Sequence, residues 1–346
     1  MNPLEMELAL TVFLASLALS AILVFVLIHS PVARWSLDSA NHRSLHSQPT
    51  PRVGGLAILI AIATAILVWE PTGVPVILLV TSASLAIVSS IDDWKNLPVA
   101  LRLVVHAAAA AIAAVVWLDA LNMDLTLASM WAMGISVVAI CWMTNLFNFM
   151  DGANGMAGGM AFLGFGGYAI AASISPEHTA GIAIVATAIS GASLGFLFFN
   201  FPAGRVFLGD AGSIPLGFLA IALGIQGYLQ GIWPWWFGLL IFSVFIVDAS
   251  ATLLKRLFRG EKIWVAHRKH YYQRLILSGW SHRKTVTSYY FLMLGSTISA
   301  LAAQKSDFHF PILGFWVITY ASLLMYLEWR FTQDEKRQDR KTLGAK

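Results

Sequence analysis

Five aspartates stand where apolar stretches of the chain give way to polar ones. Asp92 and Asp93 are adjacent in SSIDDWKNLP, Asp151 lies in NLFNFMDGANG, Asp210 in RVFLGDAGS and Asp248 in VFIVDASATLLKRL. Two neighbouring carboxylates repel each other and are tolerated beside water, a cation or a basic partner. The same polar segments supply bases: Arg43, Arg52, Lys95, His267, Arg268, Lys269 and His270. Such acids suit a hard cation like Mg2+, which takes carboxylate oxygens and keeps some of its waters. Such bases suit phosphate oxygens. Acids and bases together fit a metal–diphosphate centre, with the cation as Lewis acid and template for phosphoryl transfer.

Each segment alone also has a plainer reading. NHRSLHSQPTPRVGG, with Arg43 and Arg52, reads equally as a basic membrane anchor followed by a turn. The Asp92–Asp93 pair reads as a solvated helix end. In TNLFNFMDGANGMAGG, Asn145, Asn148 and Asp151 are spaced by three, and the glycines that follow permit a tight turn and close backbone approach. That loop has no basic residue, which an ordinary anchoring loop would carry, and it lacks the Gly-Lys-Ser/Thr of a P-loop. Asp210 fits a metal ligand or a helix cap, and Phe207 a base-stacking ring or an interfacial aromatic. Asp248 lies inside an apolar stretch, where a carboxylate signals function unless Arg256 pairs with it. WVAHRKHYYQRL reads as a phosphate-binding strip or as an amphipathic helix on a membrane surface. His106, in an alanine-rich stretch, reads as a packing residue.

The elements that must position these residues follow from composition. The chain has 346 residues, 58% hydrophobic and 12% charged, with a mean hydropathy of +0.72. Apolar runs of roughly 17–23 residues recur, long enough to cross a hydrocarbon core ~30 Å thick as helices. We therefore expect an all-α, polytopic integral membrane protein with about eleven spans, at 5–29, 53–69, 74–91, 99–118, 125–147, 156–175, 180–200, 212–230, 232–254, 286–303 and 311–328. The first run is too long for a signal-peptide core and has no basic flank, so it reads as a retained helix. Of the 22 Lys and Arg, all but Lys305 fall in the odd-numbered connections or the C-terminal tail. By the positive-inside rule these are cytoplasmic, which puts the N-terminus outside and the C-terminus inside. The net charge of +4 then faces anionic headgroups of the inner leaflet. One domain, 1–346, is expected, with a charged tail at 329–346. The single cysteine, Cys141, excludes an internal disulfide. No nucleic-acid partner is expected.

Five motifs occur in order on that one face: HSQPTPRVGG, the DD pair, NLFNFMDGANG, FNFPAGRVFLGDAGS and AHRKHYYQRL. Over about residues 40–275 they resemble the polyprenyl-phosphate N-acetylaminosugar-1-phosphate transferases, membrane enzymes related to the muramoyl-pentapeptide phosphotransferase. The resemblance implies attack of undecaprenyl phosphate on the β-phosphorus of a UDP-N-acetylhexosamine, with release of UMP, at the cytoplasmic face of a bacterial inner membrane. It implies Mg2+ (Mn2+ as a substitute) on Asp210, with Asp92 and Asp93 in the metal region. Asp92 would deprotonate or orient the lipid phosphate. Asn148, Asp151 and Gly152 would hold the nucleotide, Asn200 would contact it and Phe207 would stack on uracil. His267, Arg268 and His270 would bind phosphate or position the sugar, with Arg43, Arg52 and Lys95 holding substrate charge. A homodimer is compatible with this reading.

Departures narrow the branch. HRKH stands where the muramoyl-pentapeptide branch has a run of histidines, which points instead toward enzymes that start O-antigen or other surface glycans. Asn154 stands where many relatives have the second acid of DGxDG, and Asn96 where some have a third acid after the DD pair. Metal duty then falls on fewer carboxylates. A secondary transporter of a nucleotide sugar or other anionic solute is the rival, but it calls for ionisable or broken-helix sites near the bilayer midplane.

Overall fold

The computed structural model describes residues 3–38, 48–95, 97–120, 124, 126–175, 180–265, 267–304 and 308–344. Long apolar stretches become helices because in lipid every backbone N–H and C=O needs an internal partner. In chain order these are α1 (Pro3–Ile28), the short α2 (Pro31–Trp35), α3 (Gly54–Trp69), α4 (Val76–Lys95), α5 (Val99–Ala120), α6 (Leu127–Phe149), α7 (Met156–Ile174), α8 (Ala180–Asn200) and α9 (Asp210–Leu229). They continue with α10 (Phe237–Ile241), α11 (Ser243–Phe258), α12 (Tyr271–Leu277), α13 (His282–Ala303) and α14 (His309–Gly344). One small antiparallel ladder, β1 (Leu37–Asp38) with β2 (Thr50–Pro51), pairs Leu37 with Pro51 and Asp38 with Thr50. The protein is an all-α polytopic membrane protein.

Among the described residues, nine helices are long and apolar enough to cross a membrane. The two remaining expected spans differ for identifiable reasons. The segment 53–69 forms α3, whose 16 residues at ~1.5 Å rise each fall short of a ~30 Å core. The segment 232–254 is not one helix. Pro234 lacks an N–H, so helix begins only at Phe237, and the chain breaks again at Phe242 between α10 and α11. There Ser243 donates to the Leu240 carbonyl at 2.6 Å and shares a 2.6 Å hydrogen bond with Tyr320 of α14.

The centre of the bundle is α7, α8 and α9. Between 67% and 78% of their apolar stretches are buried, against 17% in α14. Small residues make this possible. A Cβ on Gly191 or Gly195 of α8 would come within 2.4 Å of a carbonyl oxygen of α1, so the two helices meet backbone to backbone. The perimeter helices α4 and α6 pack on α9, and α5 packs on α6. This arrangement brings the C-terminal ends of α4 and α6 to the N-terminal end of α9.

Candidate active site

The site is built on the first turn of α9. Gly209, at φ 73°, precedes the helix in a conformation that favours glycine. Helix begins at Asp210, two residues before the expected span, so this acid sits on the first turn. Free N–H groups and the helix dipole make such a turn favourable to negative charge. Three carboxylates gather on it. The Gly209 N–H donates to Asp151, from the loop after α6. Asp93 Oδ2, from the end of α4, lies 3.5 Å from the Ala211 nitrogen. Asp210 itself is hydrogen-bonded to the Asn148 side chain. Burial pushes the Asp151 carboxyl well above the usual range, the charges of Asp210 and Asp93 push the same way, and Arg52 and the Gly209 amide oppose them.

Two arginines each tie two acids together. Arg52 contacts Asp38 at 2.8 Å and Asp93 at 3.2 Å. Arg102, in the first turn of α5, contacts Asp92 at 3.0 Å and Asp210 at 3.9 Å. Asp92 also accepts the Leu97 N–H at 2.7 Å, which closes the turn between α4 and α5. The adjacent acids therefore divide: Asp92 faces the α4–α5 turn and Asp93 faces α9. The Asp210 side chain is 27% exposed, against 15% for Asp93 and 7% for Asp92, so Asp210 is the most reachable of the three.

The Gly54–Gly55 pair fixes Arg52 against this cluster. Gly54 N–H donates to the Phe207 carbonyl at 3.0 Å, Gly55 N–H to Leu208 at 2.9 Å, and Phe207 N–H to Pro51 at 2.8 Å. A Cβ on Gly55 would lie 2.4 Å from the Gly212 nitrogen. The start of α3 is thus sewn to the start of α9 through backbone alone.

The last polar segment enters through α12. Tyr272 donates its hydroxyl to the Phe149 carbonyl at 2.9 Å, directly beside Asp151 and Gly152. His270 is buried, with its ring 4.8 Å from His267 and 5.9 Å from Phe149. Burial, together with the charges of His270, Arg256 and Lys269, lowers the His267 imidazole to about 4. Asp248 accepts the Tyr271 and Tyr272 N–H groups at 2.9 and 3.0 Å and the Tyr289 hydroxyl at 2.5 Å. It therefore caps α12. Arg256 does not pair with Asp248: it bonds Glu261 at 2.9 Å and three carbonyls of the following loop.

Other expected residues fall differently. Asn200 is buried and engaged at both ends, accepting from Gly155 N–H at 2.6 Å and donating to the Val206 carbonyl at 2.7 Å. It braces the loops after α6 and α8. Phe207 is partly buried, with its backbone paired on both sides. Lys95 and Arg268 are exposed. Lys269 is tied to Glu261 at 2.6 Å. Asn145 parts from Asn148 and Asp151, because α6 ends at Phe149 and only Asn145 stays deep in the helix, bonded to Cys141 and His106. Asn154 donates to the Pro202 carbonyl at 3.3 Å. Arg43 lies outside the described residues.

Among the described residues, no three His, Cys, Asp or Glu side chains close into a metal cage. A cation of the Mg2+ type does not require one, since it is held by one or two carboxylates, waters and substrate phosphate. Asp210 on the α9 turn and Asp93, which reaches it from the end of α4, are the carboxylates with the chemistry to hold one.

A model of glycosyl transferase family 4 matches residues 75–228. Over this region the chain is similar to that family. The family region carries Asp92, Asp93, Asp151 and Asp210, while Arg52 and the α12 segment are added from outside it. Relatives extend the likeness. A Bacillus subtilis (strain 168) protein described as a probable undecaprenyl-phosphate N-acetylglucosaminyl 1-phosphate transferase is 25% identical, over 82% of this chain and 83% of its own. A phospho-N-acetylmuramoyl-pentapeptide-transferase of Picosynechococcus sp. is 29% identical, over 71% and 72%. A decaprenyl-phosphate N-acetylglucosaminephosphotransferase of Mycolicibacterium smegmatis is 27% identical, over 78% and 75%.

Sequence reasoning missed Arg102, Asp38 and Tyr272 as members of the site. Arg102 had a signal: a cation four residues beyond Pro98, at the start of an apolar helix, needs a partner. Asp38 and Tyr272 had none, because their roles depend on a two-residue ladder and on the docking of α12.

Proposed function

We propose that this chain transfers an N-acetylhexosamine 1-phosphate from a UDP-sugar to undecaprenyl phosphate, releasing UMP, and so starts a lipid-linked surface glycan. The observation that carries the proposal is the meeting of Asp93, Asp151 and Asp210 with Arg52 and Arg102 on one helix start, inside or beside the family region. The names of the relatives supply the substrate class.

In this reading a lipid phosphate oxygen bonds to the β-phosphorus and the β-phosphorus–oxygen bond to UMP breaks. One phosphoanhydride replaces another, so no further energy source is required. Arg52 and Arg102 exchange part of their carboxylate contacts for phosphate oxygens. Asp92, held by Arg102, orients the lipid phosphate. Asn148 and Asp151 hold the nucleotide side, and His267 meets the diphosphate or sugar as a neutral imidazole. Asp93 and Asp210 would hold Mg2+, which when bound neutralises charge developing on the phosphate oxygens. The site works at the cytoplasmic face of the inner membrane, where a soluble donor and a lipid acceptor can meet.

The test is UMP release by the purified protein from a panel of UDP-N-acetylhexosamines, with and without undecaprenyl phosphate and Mg2+. Release that needs both lipid and metal supports the reading. Absence of release from folded protein with every donor overturns it for the donors tried.

A further inference from the structure

Glu328 lies near the cytoplasmic-side end of the apolar part of α14, outside the family region and away from the carboxylates on α9. Its surroundings are specific. Arg274 of α12 reaches Glu328 Oε1 at 2.7 Å, and Lys255 of α11 bonds the other oxygen. The Tyr271 hydroxyl also donates to it. The Arg274 guanidinium is held over the Phe331 ring at 4.0 Å, one turn further along α14. One carboxylate therefore receives bonds from two other helices.

The elements it holds are those that bear on the site. The backbone of Tyr271 and Tyr272 is seated on Asp248, and the Tyr272 hydroxyl rests on the Phe149 carbonyl beside Asp151. The seven-residue α12 is too short to be stable by itself. It is gripped at the N-terminal end by Asp248 and on its flank by Glu328. Glu328 touches none of the carboxylates gathered on α9; its contacts run to α11 and α12, from the half-buried face of α14 that also carries Leu327 and Phe331.

We propose that Glu328 is a positioning residue for donor binding: through Arg274 and Tyr271 it holds α12, and hence His267, His270 and Tyr272, against the Asp151–Gly152 loop. This rests on the transferase reading for its kinetic consequences. Losing it should weaken donor capture and leave the lipid acceptor untouched.

The experiment compares the full-length wild type with Glu328→Gln, Arg274→Met and the double variant. Asp334→Asn serves as a control, removing a carboxylate from the same helix whose ion pair among the described residues is with Arg330 at 3.8 Å. Two quantities are read: KM for the UDP-N-acetylhexosamine donor and for undecaprenyl phosphate, and backbone hydrogen exchange over residues 267–277. Glu328→Gln should raise the donor KM about tenfold, leave the acceptor KM unchanged and speed exchange in α12. The double variant should be no worse than the worse single, because both remove one contact. An unchanged donor KM with unchanged α12 exchange overturns the proposal. So does an equal loss for both substrates with faster exchange throughout the chain, which is the mark of a general folding defect. The donor is the UDP-N-acetylhexosamine that releases UMP most readily in the panel; if none does, the transferase reading fails for those donors, and the exchange data alone decide whether Glu328 holds α12.

Discussion

The hydroxyl of Tyr272 lies 2.2 Å from where a Cβ on Gly152 would stand. A tyrosine on α12 thus occupies the space that a glycine leaves open beside Asp151. The two residues are far apart in the chain and lie on separate polar segments, yet each sets the form of the other.

Gly152→Ala should therefore drive Tyr272 off the Phe149 carbonyl and cut activity at least tenfold. Tyr272→Phe removes the clashing oxygen, and the ring carbon behind it is 3.3 Å from the new methyl position. The double variant should recover activity relative to Gly152→Ala alone, a coupling that a double-mutant cycle measures directly. An additive pair would mean that the contact has no bearing on turnover.

Asp210 and Asp92 should separate by phenotype. Asp210→Asn is expected to lower kcat by at least about 100-fold with little change in melting temperature, because Asp210 is more exposed than Asp92 and Asp93. Asp92→Asn removes the charge that Arg102 meets at 3.0 Å; Arg102 is about one-third exposed and keeps Asp210 at 3.9 Å, so the cost falls below the ~3–5 kcal/mol of breaking a fully buried pair. Both activity and thermal stability should fall. Near-wild-type activity of Asp210→Asn at limiting Mg2+ would remove Asp210 from the metal site.

Asn200→Ala should behave as a folding variant. It strands the Gly155 N–H and the Val206 carbonyl, and each unsatisfied buried group costs ~1–3 kcal/mol. A drop of several degrees in melting temperature is expected, with residual activity in the folded fraction. A stable Asn200→Ala protein whose only defect is donor affinity would return Asn200 to direct nucleotide contact.

The lowered His267 imidazole has a pH signature. In the unfolded chain it takes a proton near 6.5 and in the folded protein near 4, so between those values the unfolded state binds more protons. Stability contributed by neutral His267 is full above pH 6.5 and is lost as pH falls toward 4. Melting temperatures from pH 7 to pH 5 should decline more steeply in the wild type than in His267→Gln. Parallel curves would show that the imidazole is ordinary.

Span positions were legible because lipid permits few backbone solutions, and hydrophobic runs report them directly. Where a run hid a local conflict, the reading failed: Pro234 and Phe242 divide 232–254 into α10 and α11, which an average of hydropathy does not register. Asp93, Asp151 and Asp210 were legible as a group from their position at apolar edges. Their separate duties were not. Asp92 and Asp93 differ only in the direction each side chain takes at the end of α4. For Asn200 the sequence carried only the role implied by the resemblance, because its burial and both of its hydrogen bonds arise from loop folding. Arg102 was counted as charge when its reach across α4 and α9 was the informative property.

The cluster on α9 draws on residues 38, 52, 93, 102, 151 and 210, so it has no local precursor. As the chain leaves the ribosome, the acids of α4 and the arginines before and after it enter the membrane well before the helix start that unites them. The Arg52–Asp93 and Arg102–Asp92 pairs join residues that all precede α9 in the chain, so half of the cluster's electrostatic balance is in place on residues encoded before the helix start that completes it.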